Sequence, residues 1–459
     1  MDLPEGFRKR MTCLLGEEAP IFFQALEEEP RRALRWNPDR VTPEDLALIL
    51  QGEVEPVPFG ENGCYFSFSG VGNHPLHHSG AIYVQEPAAM APVAALPRER
   101  VRTILDLCAA PGGKSLQAAA LLLEKEGTLV CNEPSPSRRA ALMQNLERCG
   151  EARAVVTGFD GTLLPDRLEG LFDLVICDAP CSGEGMMRKN REAVATWSEE
   201  KVAQCAQIQT KLLESAARAL APGGRILYST CTWSLEENED RIAAFLKEHR
   251  EFSLVPPRQE VAEFSSPGFV RPECRELAYT RRFYPHVFPG EGQFLAVLQK
   301  AGEAALCPRE EKRKKEKGKP NPSEALVRDF LQQVLALPIS GEILFRGEEA
   351  YLIPSVLFPP EMAVSPGLKL GSVRKGRFVP HHRLFTALGT DFQRKISLSS
   401  DDPRVEAYLR GEEIPLSQPD GWAVICFGNS PLGGVKISQG RGKNYYPKGL
   451  RKGPECTTN

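Results

Sequence analysis

The sequence predicts an α/β protein with a mostly parallel central sheet, an amino-terminal α+β extension and a small carboxyl-terminal domain. Three observations lead there. Between about residues 100 and 300, apolar runs of strand length alternate regularly with helix-like segments, the pattern of strands covered by helices on both faces. The ends of those runs carry a Gly-rich turn, acids and cysteines, which places chemistry along one carboxyl edge of the sheet. At 459 residues the chain also exceeds one ordinary domain, so the flanks must fold as further units.

The elements follow in order. Residues 1–95 form a first domain, in which TPEDLALILQGE predicts a helix and GENGCYFSFSGVGNHP a hairpin. Over 96–302 the order is TILDLC (strand), SLQAAALLLEKE (helix), GTLVCNE (strand), SRRAALMQNLERCG (helix), ARAVVTGFD and LFDLVICDAP (strands), a helix near 198–220, and the strand GGRILYSTCT. A late strand, GQFLAVLQ, closes this domain. The segment 303–323 includes CPREEKRKKEKGKPNPS, which lacks apolar periodicity and reads as a charged, disordered linker. Residues 324–385 then form a small intermediate domain, and 386–459 a barrel-like one.

Composition excludes several function classes. Apolar residues make up 42% and charged residues 25%, the balance of a soluble globular protein. MDLPEGFRKRM has no apolar h-region, and no apolar run of about 18 residues occurs, so neither a secretory leader nor a membrane span is expected. The thirteen cysteines are odd in number and form no C-x-x-C pair, which argues against a disulfide framework or zinc ribbon and for a reducing cytoplasm. No histidine cluster has metal-ligand spacing, so no metal is expected. The net charge of −3 conceals local basic segments. Residues 365–395 hold seven Lys or Arg against Asp391, and 435–459 hold six against Glu455, with Gly440, Gly442, Tyr445 and Tyr446 interleaved. On charge alone this is either a footprint for RNA phosphates or a solvated tail.

TILDLCAAPGGKS passes from strand through Gly-rich turn into helix, bringing backbone N–H groups and a helix amino terminus toward a ligand. A phosphate-binding P-loop needs glycine where Cys108 stands, and Pro111 removes an N–H from the turn. The dinucleotide fingerprint is also absent. An adenosyl cofactor lacking a phosphate anchor instead needs a carboxylate for its ribose hydroxyls. Glu133 ends the second strand and suits that task, while Asp160 ends the third and suits the adenine amine. Each acid alone would pass as a strand end or cap; several strand ends carrying acids in one sheet point to a site.

DLCAAPGGKS, DAPCSGEG and YSTCTWSLEENED together resemble the Sun-type RNA cytosine-C5 methyltransferase family, in its bacterial 16S rRNA (RsmF-like) branch. HHSGAIYVQEPAAMAPV, MMRKNREAVATW and RRFYPHVFPGEGQFLAVL extend the resemblance. It implies a Rossmann-like S-adenosylmethionine-dependent methyltransferase core and a carboxyl-terminal PUA-like RNA-binding domain. It further implies a cytoplasmic enzyme whose partner is RNA, rRNA of the small ribosomal subunit foremost, without membrane or obligate protein partner. The cofactor S-adenosyl-L-methionine is then held by Asp106, Cys108, Ala109, Ala110, Pro111, Gly112, Gly113, Lys114, Glu133, Asp160 and Asp178. The same resemblance makes Cys231 the nucleophile, Cys181 the residue that assists product release, and Asp178 the acid that binds the target base.

The chemistry explains why two thiols would be useful. Cytosine C5 is a poor nucleophile until a thiolate adds to C6, and a base must afterwards remove the C5 proton so that the thiolate leaves. Spacing alone does not say whether Cys181 or Cys231 attacks, and DNA cytosine methyltransferases attack from their P-C motif, the position of Cys181. Taken singly, either is as well read as a packing cysteine like Cys131, Cys149 or Cys177. Arg188, Lys189 and Arg191 are candidates to hold flanking phosphates or merely face solvent, and Tyr83 and Gln85 to pack near the methionine end. The target cytosine must be unpaired or flipped. A tRNA substrate and a non-catalytic RNA-binding assembly factor are the competing functions.

Overall fold

The computed structural model describes residues 2–50, 54–123, 127–303, 322–339, 341–354 and 358–452; most of the segment read as a linker lies outside them. Its central sheet contains β1 (Thr103–Asp106), β2 (Thr128–Asn132), β3 (Ala154–Thr157), β4 (Phe172–Asp178), β5 (Leu220–Thr230) and β6 (Gln293–Lys300). The spatial order is β3-β2-β1-β4-β5-β6. The first four pairings are parallel, and β6 runs antiparallel to β5 with Phe294 opposite Thr230. Strand order reverses between β1 and β4, and an open α/β sheet binds ligands in the crevice beyond that switch point. Asp106 and Asp178 end these two strands.

Successive residues of each strand enter opposite cores, which is why the strands read as unbroken apolar runs. Ile104, Leu129, Val156 and Ile176 pack with Leu142 and Leu146 on one face. Leu105, Val130, Val155 and Cys177 pack with Leu212, Leu213 and Ile242 on the other. The covering helices are α1 (Gly113–Ala118), α2 (Pro136–Cys149), α3 (Glu199–Ala219) and α4 (Glu239–Glu248). Ser198 caps α3 by accepting from the Lys201 N–H, and Gly150 ends α2 at φ 69°, a left-handed conformation that glycine adopts without strain. Cys131 and Cys177 are buried in these cores.

Two local expectations are corrected. The helix through SLQAAALLLEKE stops at Ala118 and closes with one 3-10 turn, Ala119–Leu121. Val101 N–H donates to Leu121 O, and Leu123 N–H to Val101 O, so a tertiary bridge overrides helix propensity. In GENGCYFSFSGVGNHP only Gly63–Phe66 becomes a named strand. It pairs with Arg32–Trp36, which also pairs with Ile82–Val84. Period-two patterning shows a strand without showing its partner.

The carboxyl-terminal part contains a helix (Pro322–Val334), a four-stranded antiparallel sheet and a five-stranded sheet. The helix His382–Leu388 crosses the position expected to divide them. Its Leu384 and Phe385 share one core with Leu368 before it and Val424 after it. The last domain also shares a core with the first, joining Leu34, Cys64 and Ile82 to Ile425, Val435 and Tyr446. The central domain is gripped through α2: Thr386 Oγ1 donates to Glu147 O at 2.7 Å, and buried Arg40 donates to Thr386 O at 2.8 Å. Among the described residues no helix is long and apolar enough to cross a membrane.

Candidate active site

The turn after β1 is shaped by its own residues. Asp106 is buried; its Oδ2 accepts from Ser115 Oγ at 2.6 Å and its Oδ1 from Cys108 N–H at 3.3 Å. Burial pushes this carboxyl up to about 7, against the hydrogen bond from Ser115 and aided by the negative charge of Asp178. Asp106 thus folds the loop by hydrogen bonds rather than presenting a free carboxylate. Gly112 begins α1 at φ 109°, and an added Cβ would lie 3.1 Å from Leu142. Arg138 donates to Ala110 O and Asn145 to Pro111 O, so α2 grips the turn from one side. From behind, Arg35 donates to Gln85 Oε1 at 2.6 Å and to Gly113 O at 2.9 Å, while Tyr83 lies against Gly113. Tyr83 and Gln85 therefore brace the loop. Cys108 stands within it, its thiol pushed well up by burial and so protonated.

Further along the edge, Glu133 is buried, with Oε1 accepting from Ser135 N–H at 2.9 Å. Its Oε2 accepts no hydrogen bond among the described residues, and the exposed Arg138 guanidinium is 3.4 Å away. A buried carboxylate oxygen without a donor is what a ribose hydroxyl would satisfy. The residues present therefore fit an adenosyl group along the ends of β1 and β2. Asp160, at the end of the third strand's loop, is exposed; its Oδ1 accepts from Thr162 N–H and Oγ1 at 3.0 and 2.8 Å.

Asp178 joins the two halves of the site. Its Oδ2 accepts from Lys114 Nζ at 2.8 Å and its Oδ1 from Ser229 Oγ at 2.6 Å. Burial works to lower the Lys114 pKa, but the charge and hydrogen bond of Asp178 outweigh it, so the ammonium stays charged. Cys181 and Cys231, fifty residues apart in sequence, follow the adjacent strands β4 and β5, and their sulfurs are 3.2 Å apart. The Cys181 thiol is pushed well up, first by its hydrogen bond to Cys231 and then by burial. The two sulfurs are within hydrogen-bonding distance, and either can donate to the other.

Residues the sequence reading did not single out hold these sulfurs in place. Glu184, from the Cys181 loop, reaches across: Oε2 accepts from Thr232 Oγ1 and Trp233 N–H, both at 2.9 Å, and Oε1 accepts from Trp197 Nε1 at 3.0 Å. Glu237, from the Cys231 loop, reaches back and accepts from Ser182 N–H at 2.9 Å. Gly185 N–H donates to Cys231 O at 2.9 Å, and the Ser182 and Thr232 hydroxyls are 2.8 Å apart. Both glutamates sit in the quoted motifs, CSGEG and EENED, but nothing local reveals their partners. Behind the loops, Phe22 packs edge-on to Trp233 with ring centres 4.9 Å apart, and Arg10 pairs with Glu236 at 2.5 Å. Arg188 corrects an expectation. Its side chain is 9% exposed, paired with Glu291 at 3.0 Å and donating to Ala25 O and Gly290 O, so it ties the amino-terminal helices to the core instead of facing phosphates. Lys189 is one-third exposed, 3.5 Å from the same glutamate.

Residues 93–299 match the family described as 16S rRNA methyltransferase RsmB/F. Residues 3–87 match the N-terminal domain of 16S rRNA methyltransferase RsmF, and 395–452 its PUA domain. The ribosomal RNA small subunit methyltransferase F of Shewanella baltica is 33% identical, over 94% of this chain and 92% of that one. The chain belongs to the RsmB/F family of methyltransferases. The protein of the same name from Vibrio cholerae is 31% identical over 98% of both chains. Among solved structures, a methyltransferase homolog protein from Pyrococcus horikoshii is 28% identical with a TM-score of 0.56, covering 65% of this chain and 95% of its own. For this RsmB/F member the fold is therefore a methyltransferase core preceded by an RsmF-type amino-terminal domain and followed by a PUA domain.

Proposed function

We propose that this protein transfers a methyl group from S-adenosyl-L-methionine to C5 of a cytosine in 16S rRNA, with Cys231 as nucleophile. The observation that carries this reading is the thiol pair at 3.2 Å, next to the Lys114–Asp178 pair, in a member of this family. The bound cofactor would supply an electrophilic sulfonium methyl. Glu133 would accept from its ribose hydroxyls, Asp160 from the adenine amine, and the turn 107–113 would surround its methionine part.

Cys231 adds as thiolate to C6 of the flipped base, which makes C5 electron-rich enough to take the methyl group. Asp178, held by Lys114 and Ser229, faces the base from the end of β4. Cys181, once its own proton has passed to solvent water, takes the C5 proton and becomes a thiol again, and the electrons of that C–H bond re-form the C5–C6 double bond as the Cys231 sulfur leaves as thiolate. Lys114 stays charged and holds Asp178 beside the reacting atoms.

RNA would be gathered by the last domain, where Trp422, Lys436 and Lys443 stand in one cross-strand row. Trp422 and Tyr445 have ring centres 4.6 Å apart, with the Lys436 ammonium 5.8 Å from the Trp422 ring. Aromatic faces flanked by cations suit stacked bases and phosphates.

Two variants test the roles with 16S rRNA transcript and labelled cofactor. Cys231→Ala should abolish both methylation and covalent attachment. Cys181→Ala should accumulate a protein–RNA adduct that survives denaturing gels. An adduct with Cys231→Ala but none with Cys181→Ala reverses the two roles, and methylation unaffected by either removes the thiol mechanism altogether.

A further inference from the structure

Glu184 and Glu237 cross between the thiol loops in opposite directions, yet only one is saturated. Glu184 accepts three hydrogen bonds. Glu237 is fully buried, and its Oε2 accepts from Ser182 N–H at 2.9 Å and from Gln209 Nε2 at 2.8 Å. The same Gln209 Nε2 donates to Pro180 O at 3.0 Å. The peptides on both sides of Cys181 are thus tied to one acid–amide unit. Glu237 Oε1 and Gln209 Oε1 are each buried with no partner among the described residues.

An acid meets an amide through two hydrogen bonds, N–H to O and O–H to O. The first is present here, and the second requires a proton on Glu237 Oε1. That single proton would satisfy both orphaned oxygens, each of which otherwise carries the cost of an unmet buried polar atom. No ion pair to Glu237 occurs among the described residues. The titratable groups facing it are Cys181 and Glu184 on the opposite loop, Cys205 on α3 and Tyr228 on β5, with Cys231, Glu236 and Arg241 on its own segment. Arg241 is turned away, donating to Glu236 O and Thr210 Oγ1.

We propose that Glu237, neutral and paired with Gln209, is a positioning residue that clamps the Cys181 loop and, when it ionises, hinders Cys181 from losing its proton. The proposal rests on the reading in which Cys181 serves product release. Burial pushes the Glu237 carboxyl up to about 7, opposed by the hydrogen bonds from Ser182 and Gln209, so it changes state in the working range. Its negative charge adds to what raises the Cys181 thiol. Neutral Glu237 therefore favours release, and ionised Glu237 slows it.

The test follows decay of the covalent adduct between the full-length protein and 16S rRNA transcript across pH 6–9. At pH 6, wild type and Glu237→Gln should release alike. Above pH 7 the wild-type adduct should persist about tenfold longer, one pKa unit of coupling, while cofactor affinity is equal in both. Parallel decay profiles over the whole range overturn the proposal. Should Glu237→Gln not fold, Gln209→Ala gives the second reading: it removes the amide and should shift the inflection in the decay profile, and an unshifted inflection overturns the proposal. Cys181→Ala runs alongside. If it forms no persistent adduct, the release role of Cys181 fails; if it does and Glu237→Gln behaves as wild type, only the role of Glu237 fails.

Discussion

The cofactor turn and the thiol pair lie on the same sheet edge but are built in different ways. The turn is held mostly by nearby residues: Asp106 bonds Cys108 and Ser115, and α2 reaches Ala110 and Pro111 from about thirty residues on. The thiols are held by exchange between distant loops, Glu184 with Thr232 and Trp233, Glu237 with Ser182. The difference teaches that loading the cofactor and aligning the sulfurs are separable tasks. Asp178 is their joint, touched by Lys114 from the turn and by Ser229 from the strand that leads to Cys231.

The largest effect that would break this comparison comes from the thiol side. Glu184→Ala leaves Trp197 Nε1 and Trp233 N–H without their acceptor, and Thr232 Oγ1 with only Ser182 Oγ to donate to, at about 1–3 kcal/mol for each buried donor left unmet. It should lower the thermal midpoint markedly and reduce methylation at least about a hundredfold through lost alignment, while cofactor affinity measured calorimetrically stays near wild type. Equal losses in cofactor binding would show that the two regions are one unit.

Next comes Asp106, through pH. A carboxyl raised to about 7 in the folded protein and near its ordinary value when unfolded keeps its proton longer in the folded state. Its contribution to stability is therefore full at low pH, falls by up to about 4 kcal/mol between pH 4 and 7, and is flat above. Asp106→Asn should flatten that part of the stability–pH curve, measured by denaturant unfolding at several pH values. A variant whose slope between pH 4 and 7 matches wild type would refute the raised carboxyl.

The smallest effect sharpens the comparison from the cofactor side. Glu133→Gln should weaken cofactor binding about ten- to hundredfold, the range for losing a charged acceptor to hydroxyls. The yield of covalent adduct at saturating cofactor should be unchanged. A drop in adduct yield at saturation would place Glu133 in the thiol machinery.

Much of the fold was legible in the chain. The buried strands announced themselves as apolar runs because both of their faces are covered, and Ser198 and Gly150 mark helix ends by local chemistry. The sheet edge bearing Asp106, Glu133, Asp178, Cys181 and Cys231 followed from which residues close each run. Other features were not legible. Arg188 read as a phosphate contact or a solvent-facing cation because nothing nearby in sequence shows Glu291 or Ala25 coming to meet it. Helix α1 ended early because Val101 captures the backbone of Leu121 and Leu123.

The sequence by itself thus determined the alternation, the sheet edge and the residue types presented there, since periodicity, turns and caps depend on neighbours along the chain. Only the tertiary structure decided that the sulfurs of Cys181 and Cys231 lie 3.2 Å apart and that the neighbouring Cys231 and burial raise the Cys181 thiol. Distance and desolvation are properties of how separate strands pack. The parallel pairing of β4 with β5 brings together two loops fifty residues apart, and no local pattern encodes that neighbour.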